Sequence, residues 1–439
     1  MKMPQLLLRG RVLTFTDEPG RDDDASAYTF FEDGAVLISD GKIARLGDFA
    51  DVSKAAAEDA ERIDHHPHLI LPGFIDAHNH FPQMQVIGSY GTQLLDWLNR
   101  YTFVEEQKFA SEAHSARIAA FYMDEMIRHG TTTAAAFCSV HRASAEAFFA
   151  EAEKRNMRMI GGKVMMDRNA PEKLTDTPQS SYDDSKALIE KWHGKGRAHY
   201  AISPRFGITS SDRQLEMAQA LVKEHPDCFM QTHLSENHQE IAQTKTLFPW
   251  ARDYTDVYER YGLLGPKSLF GHCIHLEPRE IGALAESRSV AVFCPTSNLF
   301  LGSGLFDREG LQAANARIAV ATDIGGGTDY SMLATMDQAY KILQLRGQRL
   351  SPLNSFYMMT LGNARALGLE TRIGTLEEGS DADIAVLDIG ATPAMRLRAE
   401  TVQTLSEELF VLQTMAGDRA VAEVYVAGLA AKLGLGEKD

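Results

Sequence analysis

The 439-residue sequence predicts an α/β protein, a (β/α)₈ TIM barrel with a small β-sandwich domain built from both chain termini. Eight apolar runs alternate with helical patterns between about residues 70 and 370, and continuous apolar runs are typical of parallel strands buried on both faces. Strand-and-turn patterns flank this region on both sides. Eight strand–helix units in about 250–300 residues fit a closed barrel better than an open doubly wound sheet.

The flanking segments predict β-hairpins. In AVLISDGKIARLGDF, Asp40-Gly41 separates two alternating apolar runs, which is a strong hairpin signal. After the barrel, IGTLEEGSDADIAVLDI and RAVAEVYVAGLAA also predict hairpins, with turns at Gly374, Gly379 and Gly428. We therefore expect the N-terminal part of the sandwich in 1–68, the barrel in 69–370 and the C-terminal part of the sandwich in 371–439.

The barrel strands are predicted from the apolar runs. The first strand ends the run LILPGFIDAHNH, and the other seven are predicted at 131–140, 157–167, 198–207, 228–236, 268–276, 289–298 and 317–327. The clearest helices are Glu112–Arg128 and Asp212–Glu224, the second with a capping box between Ser211 and Gln214. A long insertion, 81–110, follows the first strand.

The stretch LILPGFIDAHNHF (69–81) contains two histidines, His78 and His80. Residues two apart on a strand point to the same face, so both imidazoles can ligate one metal. Two hydrogen-bonded core histidines remain the alternative when this stretch is taken alone. A similar pair in His66-Pro67-His68 lies in a polar, proline-containing segment, and we expect a solvated loop there.

Ligand-type residues also follow other predicted strands. His233 ends the fifth strand and Glu236 comes three residues later, His272 ends the sixth, and Asp323 ends the eighth. Taken singly, His233 and His272 can be core histidines and Asp323 can be a helix cap. The carboxyl ends of barrel strands meet at one face, however, and the joint pattern predicts a metal site there.

Three histidines and one carboxylate suit zinc, with Fe²⁺ as the alternative. A catalytic metal lowers the pKa of a bound water towards about 7, and that water needs a base. Glu236 lies where its strand opens into a loop, so we predict that it is this base. We predict that His272 and Asp323 position the attacking hydroxide and help to move protons.

These motifs resemble those of the amidohydrolase superfamily. The resemblance rests on PGFIDAHNHF, THLSE, FGHCIH, ATDIGGG and GTLEEGSDADIAVLD, and it covers essentially the whole chain. Five further segments resemble, more narrowly, the guanine deaminases of that superfamily. They are 80–109, AFCSVHRASAEAFF (136–149), SPRFGITSS (203–211), PTSNLFLGSGLFD (295–307) and 321–344.

The resemblance implies one zinc ion per subunit, hydrolysis of guanine to xanthine and ammonia, and a homodimer. The implied metal ligands are His78, His80, His233 and Asp323. The implied catalytic residues are Glu236 for proton transfer, with His272 and Asp323 at the hydroxide. The implied substrate-binding residues are Gln83, Arg205, Phe206, His233 and Asp323.

The implied substrate contacts make physical sense. Arg205 carries donors in a rigid fork that can pair with the O6 and N7 acceptors of guanine, and Gln83 can both donate and accept. Phe206 can cover the purine face, with Trp97 as a second candidate. Trp97, Tyr101 and Phe103 are better explained as packing within the loop over the site.

Two alternatives stay open at this stage. One is a mononuclear amidohydrolase that deaminates another heterocycle, such as cytosine, a triazine like ammeline, or an adenosine derivative. The other is a catalytically inactive relative that serves as a binding protein, and the complete ligand set with Glu236 argues against it.

The composition of the chain argues against several classes of binding partner. The formal net charge of −16 argues against binding to nucleic acid or to an anionic membrane surface. No uncharged apolar run is long enough to span a bilayer, and MKMPQLLLRGR lacks the apolar core of a signal peptide. The four cysteines include no C-x-x-C pair and are expected to be reduced and buried. We therefore expect a cytoplasmic protein that acts on a small molecule.

Overall fold

The computed structural model describes residues 5–20, 24–91 and 93–432. The strands are β1 (Leu6–Phe15), β2 (Tyr28–Ser39), β3 (Lys42–Asp48), β4 (Glu61–Pro72), β5 (Phe74–His80), β6 (Thr131–Phe137), β7 (Arg158–Gly162), β8 (Val164–Met165), β9 (His199–Pro204), β10 (Phe229–Leu234), β11 (Ser268–His272), β12 (Val290–Phe293), β13 (Arg317–Val320), β14 (Ile384–Leu387), β15 (Val421–Val426) and β16 (Leu429–Ala430).

The α-helices are α1 (Phe49–Ala55), α2 (Leu94–Trp97), α3 (Phe103–Glu106), α4 (Glu112–Arg128), α5 (Arg142–Lys154), α6 (Pro178–Trp192), α7 (Asp212–Glu224), α8 (His238–Leu247), α9 (Tyr254–Arg260), α10 (Pro278–Ser287), α11 (Pro295–Phe300), α12 (Arg308–Ala313), α13 (Met332–Leu345), α14 (Pro352–Tyr357), α15 (Asn363–Leu367), α16 (Pro393–Ala399) and α17 (Leu405–Met415). Within the described residues, no helix is long and apolar enough to cross a membrane.

The predicted barrel is confirmed. Its parallel strands follow the order β5-β6-β7-β9-β10-β11-β12-β13, and the short β8 also pairs with β9. Each of the eight predicted strands corresponds to one of these eight. The predictions ran past the carboxyl ends of the strands, because the residues that follow are also apolar or buried at the mouth of the barrel.

The barrel closes between its first and last strands through hydrogen bonds of the Asn363 side chain and of the backbone N–H of Asp323. The amide nitrogen of Asn363 donates to the carbonyl oxygens of Ile75 (2.6 Å) and Val320 (2.8 Å), and its amide oxygen accepts from the Val320 N–H (2.9 Å). The Asp323 N–H donates to the carbonyl of His78 at 2.9 Å. This seam brings the end of the first strand beside the residues that follow the last.

A second sheet has the strand order β16-β15-β14-β4-β1-β2-β3, and both ends of the chain contribute to it as predicted. The predicted hairpin turn lies between β2 and β3, where Asp40 and Gly41 have φ of 50° and 77°. The second C-terminal hairpin forms from β15 and β16. The first is wrong, because 373–389 contains a single strand, β14, which pairs with β4 and, across the intervening helices α16 and α17, with β15.

The switch from this sheet to the barrel occurs at Gly73. The strand β4 contains His66-Pro67-His68, so the predicted solvated loop is wrong, and the segment is instead the exposed part of a strand. A Cβ at Gly73 would lie 2.3 Å from Oγ1 of Thr132, so only glycine lets the chain pass here. The division into 1–68, 69–370 and 371–439 stays a prediction, and its outermost residues, 1–4 and 433–439, lie outside the described residues.

The helices α4 and α7 have the predicted bounds. Only half of the capping box forms at α7, because the Ser211 hydroxyl accepts from the Gln214 N–H at 3.2 Å while the Gln214 side chain donates to Ser181. The described part of the insertion 81–110 is a series of short helical segments that includes α2 and α3. The four cysteines are free and buried, as predicted.

Candidate active site

The predicted metal ligands converge at the carboxyl ends of the barrel strands. His78 and His80 end β5, His233 lies on β10, and Asp323 follows β13. The Nε2 atoms of His80 and His233 are 3.1 Å apart, and Oδ1 of Asp323 is 3.4 Å from Nε2 of both His78 and His80. Sequence positions up to 245 residues apart (323 − 78) therefore meet within one small volume.

These donor atoms fit a cation. Within the described residues, neither ring nitrogen of the buried His78 makes a hydrogen bond. The Nε2 atoms of His80 and His233 also face each other. Two neutral imidazole nitrogens in this arrangement stabilise one another little unless both bind a third group. Buried polar atoms are normally hydrogen-bonded, so ring nitrogens of His78, His80 and His233 that lie within 4.8 Å of one another indicate a site for a positive ion.

The charge states of the ligands also suit a cation. Burial, followed by repulsion from His233 and His78, holds the pKa of His80 well below the ordinary histidine value, and burial likewise lowers the pKa of His233. Burial alone would raise the pKa of Asp323, but its interactions with His78 and His272 lower it. The imidazoles are therefore neutral and the carboxylate is ionised at neutral pH, as metal ligation requires.

Neighbouring groups orient the ligands. His233 donates from Nδ1 to the backbone carbonyl of Arg205 at 2.7 Å, which leaves Nε2 free to face the site. Cys294 also has its sulfur within 4.8 Å of donor atoms of His78 and Asp323. Burial raises the pKa of this thiol well above its usual value, so it is protonated at neutral pH in the absence of a metal.

An acid–base group lies beside the ligand cluster. Oε2 of Glu236 is 3.2 Å from Nε2 of His272, and the Ser303 hydroxyl donates to Oε1 of Glu236 at 2.9 Å. Burial raises the pKa of Glu236 to about 7, against the opposing effect of His272. Burial lowers the pKa of His272, but the carboxylates of Glu236 and Asp323 outweigh this effect and raise it overall. The pair can therefore hold a proton at neutral pH.

A pocket connects this group with the predicted substrate residues. Its lining includes the polar residues Gln83, Arg205, Glu236 and Asp323, together with His80, His233 and His272. The apolar part of the lining is Leu94, Trp97, Leu98, Phe206 and Leu301. Arg205 is 3% exposed and Gln83 is 2% exposed, so the pocket combines buried donors and acceptors with the candidate metal ligands.

The sequence profile of the amidohydrolase family matches residues 69–430 of this chain. That range covers most of the chain and includes every predicted site residue. The chain belongs to the amidohydrolase family.

Several relatives of this amidohydrolase are guanine deaminases. The enzyme of Escherichia coli K12 is 46% identical over 425 residues, which are 96% of each chain. A solved structure of the E. coli guanine deaminase superposes with a TM-score of 0.95 at 44% identity, covering 97% of this chain and 99% of that one. The guanine deaminase of C. acetobutylicum, solved with guanine bound in its active site, has a TM-score of 0.87 at 29% identity, with coverage of 97% and 99%.

Three polar residues of this amidohydrolase site were not predicted from the sequence. Ser303 holds Glu236, the Asn298 amide oxygen lies 3.0 Å from Nδ1 of His272, and Glu106 lies between Gln83 and Arg205. Asn298 and Ser303 lie in the segment PTSNLFLGSGLFD, and Glu106 lies in 80–109, both of which carry the resemblance. Their place within these two segments was the available signal, because the sequence alone does not show which polar residues are buried.

Proposed function

We propose that this chain is a guanine deaminase that hydrolyses guanine to xanthine and ammonia in purine catabolism. The observation that carries the proposal is the combination in one pocket of a Glu236–His272 acid–base pair with the buried polar side chains Gln83 and Arg205. The similarity to guanine deaminases over nearly the whole chain supports it.

We propose zinc as the metal, one ion per subunit, with Fe²⁺ as the alternative. His78, His80, His233 and Asp323 would hold it, because their donor atoms converge and their charge states suit a divalent cation. When bound, the ion supplies Lewis-acid activation of the attacking water.

Glu236 then acts as the proton carrier. A carboxyl with a pKa near 7 can accept a proton from the attacking water and deliver it to a ring nitrogen of guanine. Because Ser303 donates to Oε1, we assign this transfer to Oε2, which lies 3.2 Å from Nε2 of His272. As the bond between C2 and the amine breaks, Glu236 takes the proton of the hydroxyl added to C2 and delivers it to the amine, so that ammonia leaves and the C2 carbonyl of xanthine forms. His272 and Asp323 orient the attacking oxygen.

Other residues of the pocket recognise the purine. Arg205 offers N–H donors to O6 and N7 of guanine, and Gln83 offers an amide acceptor to a ring N–H. Phe206 packs edge-on to His233, with ring centroids 6.4 Å apart, and presents an apolar surface to the purine. His233 and Asp323 border the same space from the side of the metal ligands.

We further propose that the chain is a cytoplasmic homodimer. The homodimer follows from the resemblance to guanine deaminases. Sedimentation velocity on the purified chain tests it, and a species with the mass of two chains is the expected result.

A panel of substrates tests the proposed activity. Ammonia release from guanine, cytosine, adenine and ammeline is measured with zinc-replete protein. We expect turnover of guanine with much lower kcat/KM for the other three. Turnover of another heterocycle without turnover of guanine would overturn the substrate assignment and leave the family membership intact.

A further inference from the structure

Glu106 connects the two proposed purine-binding residues. It ends α3, in the insertion over the pocket, and its side chain is 1% exposed. Its Oε1 accepts from the amide nitrogen of Gln83 at 2.9 Å, and its Oε2 accepts from Nη1 of Arg205 at 2.7 Å. One carboxylate therefore contacts residues from the first and the fourth barrel strand units.

This contact fixes which way the Gln83 amide faces. An ionised carboxylate can only accept hydrogen bonds, so the NH₂ group of Gln83 must face Glu106 and its carbonyl oxygen must face away. The carbonyl oxygen lies against the loop after β13, where a Cβ on Gly325 would be only 2.0 Å away. Gln83 also lines the pocket, so this carbonyl oxygen is the hydrogen-bond acceptor that it can offer to a ligand there.

The same contact fixes Arg205. Its guanidinium is 3% exposed and lies over the Phe103 ring, with 5.4 Å from Cζ to the ring centroid. A buried cation needs a partner of opposite charge, and Glu106 provides one. Because the ion pair uses Nη1, the other N–H groups of the fork stay available to the pocket.

We propose that Glu106 is a positioning residue that sets the selectivity of this pocket for a 6-oxopurine, an inference that rests on the proposed function. By holding Gln83 and Arg205 together, Glu106 fixes where the pocket offers one hydrogen-bond acceptor and where it offers several donors. Guanine offers the complementary ring N–H and O6. A 6-aminopurine offers an unprotonated N1 and an amino group, which place an acceptor against the Gln83 oxygen and donors against Arg205.

The test compares Glu106→Gln with the matched control Glu105→Gln. Glu105 is adjacent in sequence but pairs with the exposed Lys108, at 2.6 Å. We expect Glu106→Gln to raise the KM for guanine by about 10- to 100-fold with kcat changed less than about threefold, since one buried charge-assisted contact is lost. Glu105→Gln should match the wild type.

A second measurement distinguishes a change in substrate selectivity from a general loss of activity. The compound 2,6-diaminopurine carries the same 2-amino leaving group as guanine but an amino group at C6. The ratio of kcat/KM for guanine to that for 2,6-diaminopurine should fall at least about tenfold in Glu106→Gln. Calorimetric titration with hypoxanthine, which has the 6-oxo edge and no 2-amino group, should show a matching loss of affinity.

Each outcome decides the proposal. An unchanged KM and ratio in Glu106→Gln, or a fall in kcat alone, would overturn it. If Glu106→Gln does not fold, Glu106→Asp keeps the charge but cannot reach both partners, and the same KM and selectivity changes are then required. Failure of the wild type to turn over guanine would overturn the proposed function instead, and hypoxanthine titration of the same variants would still test whether Glu106 orders the pocket.

Discussion

At the scale of residues, the environment of Glu236 defines its chemistry. Burial brings its pKa to about 7, Ser303 binds one oxygen, and the other faces His272 at 3.2 Å. A carboxyl with this pKa is poised to accept and release a proton at neutral pH. The same side chain on the surface would be ionised and much less effective as an acid.

Glu236→Gln should lower kcat by about 10²–10⁴-fold, because the amide cannot carry the proton while the size and most contacts are kept. Steady-state assays of ammonia release from guanine measure this effect, and metal content should remain that of the wild type. The exposed Glu216→Gln on α7 serves as the control and should retain full activity. A Glu236→Gln enzyme with near wild-type kcat would rule out the role of Glu236 in proton transfer.

The sequence was informative about residues that directly follow apolar strands. His78, His80, His233, His272 and Asp323 could be predicted to converge, because barrel geometry brings the strand ends together. The residues that hold them could not be predicted in the same way. Their partners depend on side-chain contacts between segments far apart in sequence, which no local pattern encodes.

The Glu106 contact with Arg205 illustrates this limit. The two residues are 99 positions apart and lie on a short helix and a strand end. A glutamate in a helical insertion is usually exposed, and nothing in the neighbouring residues distinguishes the buried Glu106 from Glu105.

At the scale of elements, the loop after β13 shapes the pocket through its glycines. Gly325 has φ of +116°, and a Cβ there would lie 2.0 Å from Oε1 and 2.6 Å from Cβ of Gln83. The loop can therefore approach the residue that follows the first strand only if this position has no side chain. The run ATDIGGG thus supplies both Asp323 and the space for Gln83.

Gly325→Ala should displace Gln83 and raise the KM for guanine by roughly tenfold or more, which corresponds to about 1.4 kcal/mol of lost binding. Gly347→Ala provides a matched control, since Gly347 has φ of +72° but no heavy atom of the described residues lies within 4 Å of where an alanine methyl group would be. The control should lose about 1–2 kcal/mol of stability from backbone strain with KM unchanged. Equal KM values for both variants would contradict the role of Gly325.

Element prediction succeeded where periodicity was strong and failed where pairing was long-range. The helices α4 and α7 combine a capping serine with an apolar stripe, and their bounds were predictable. The segment around His66-Pro67-His68 looked like a loop because it is polar and contains proline. It lies within β4 because β1 pairs with the residues on both sides of it, up to Asp64 and again from Leu69, and that tertiary pairing overrides local propensity.

At the scale of the whole molecule, a bound metal should stabilise the fold as well as enable the reaction. It would join residues from the first, fifth and eighth strand units of the barrel. A ligand at 1,000 times its Kd adds about 4 kcal/mol to the free energy of unfolding. Part of the stability at the mouth of the barrel should therefore depend on the bound ion.

Removal of the metal with a chelator should abolish ammonia release and lower the Tm, and zinc should restore both. Differential scanning calorimetry with metal analysis measures these changes. His80→Asn should no longer bind the metal, whereas His66→Asn, at the exposed histidine of β4, should bind one ion per chain. Full activity of metal-free protein would contradict the metal site.

The two sheets are also joined by charged residues at the other end of the barrel. Arg158 on β7 lies 3.1 Å from Nε2 of His199 and donates to Asp381 at 2.5 Å, and Arg197 pairs with Asp383. Burial, followed by the nearby cations led by Arg158, lowers the pKa of His199 to about 4. His199 therefore stays neutral in the fold and accepts a hydrogen bond from Arg158.

This depressed pKa predicts a pH-dependent stability. The unfolded histidine binds a proton as the pH falls below about 6.5, while the folded one resists until about pH 4, so stability is lost in this window. The His199→Gln variant keeps an acceptor for Arg158 without the titration. Between pH 7 and pH 5 the wild type should lose about 2 kcal/mol more than the variant in denaturant unfolding. An equal loss of unfolding free energy in the wild type and the variant over this pH range would contradict the low pKa of His199.

Hydrolysis of guanine at C2 is the proposal on which the roles of all the pocket residues depend. Its most direct test incubates zinc-replete protein with guanine in ¹⁸O-labelled water and analyses the products by mass spectrometry and an ammonia assay. We predict equal amounts of xanthine and ammonia, with one ¹⁸O atom in each xanthine. Guanine recovered unchanged, or ammonia released without labelled xanthine, would overturn the proposed function.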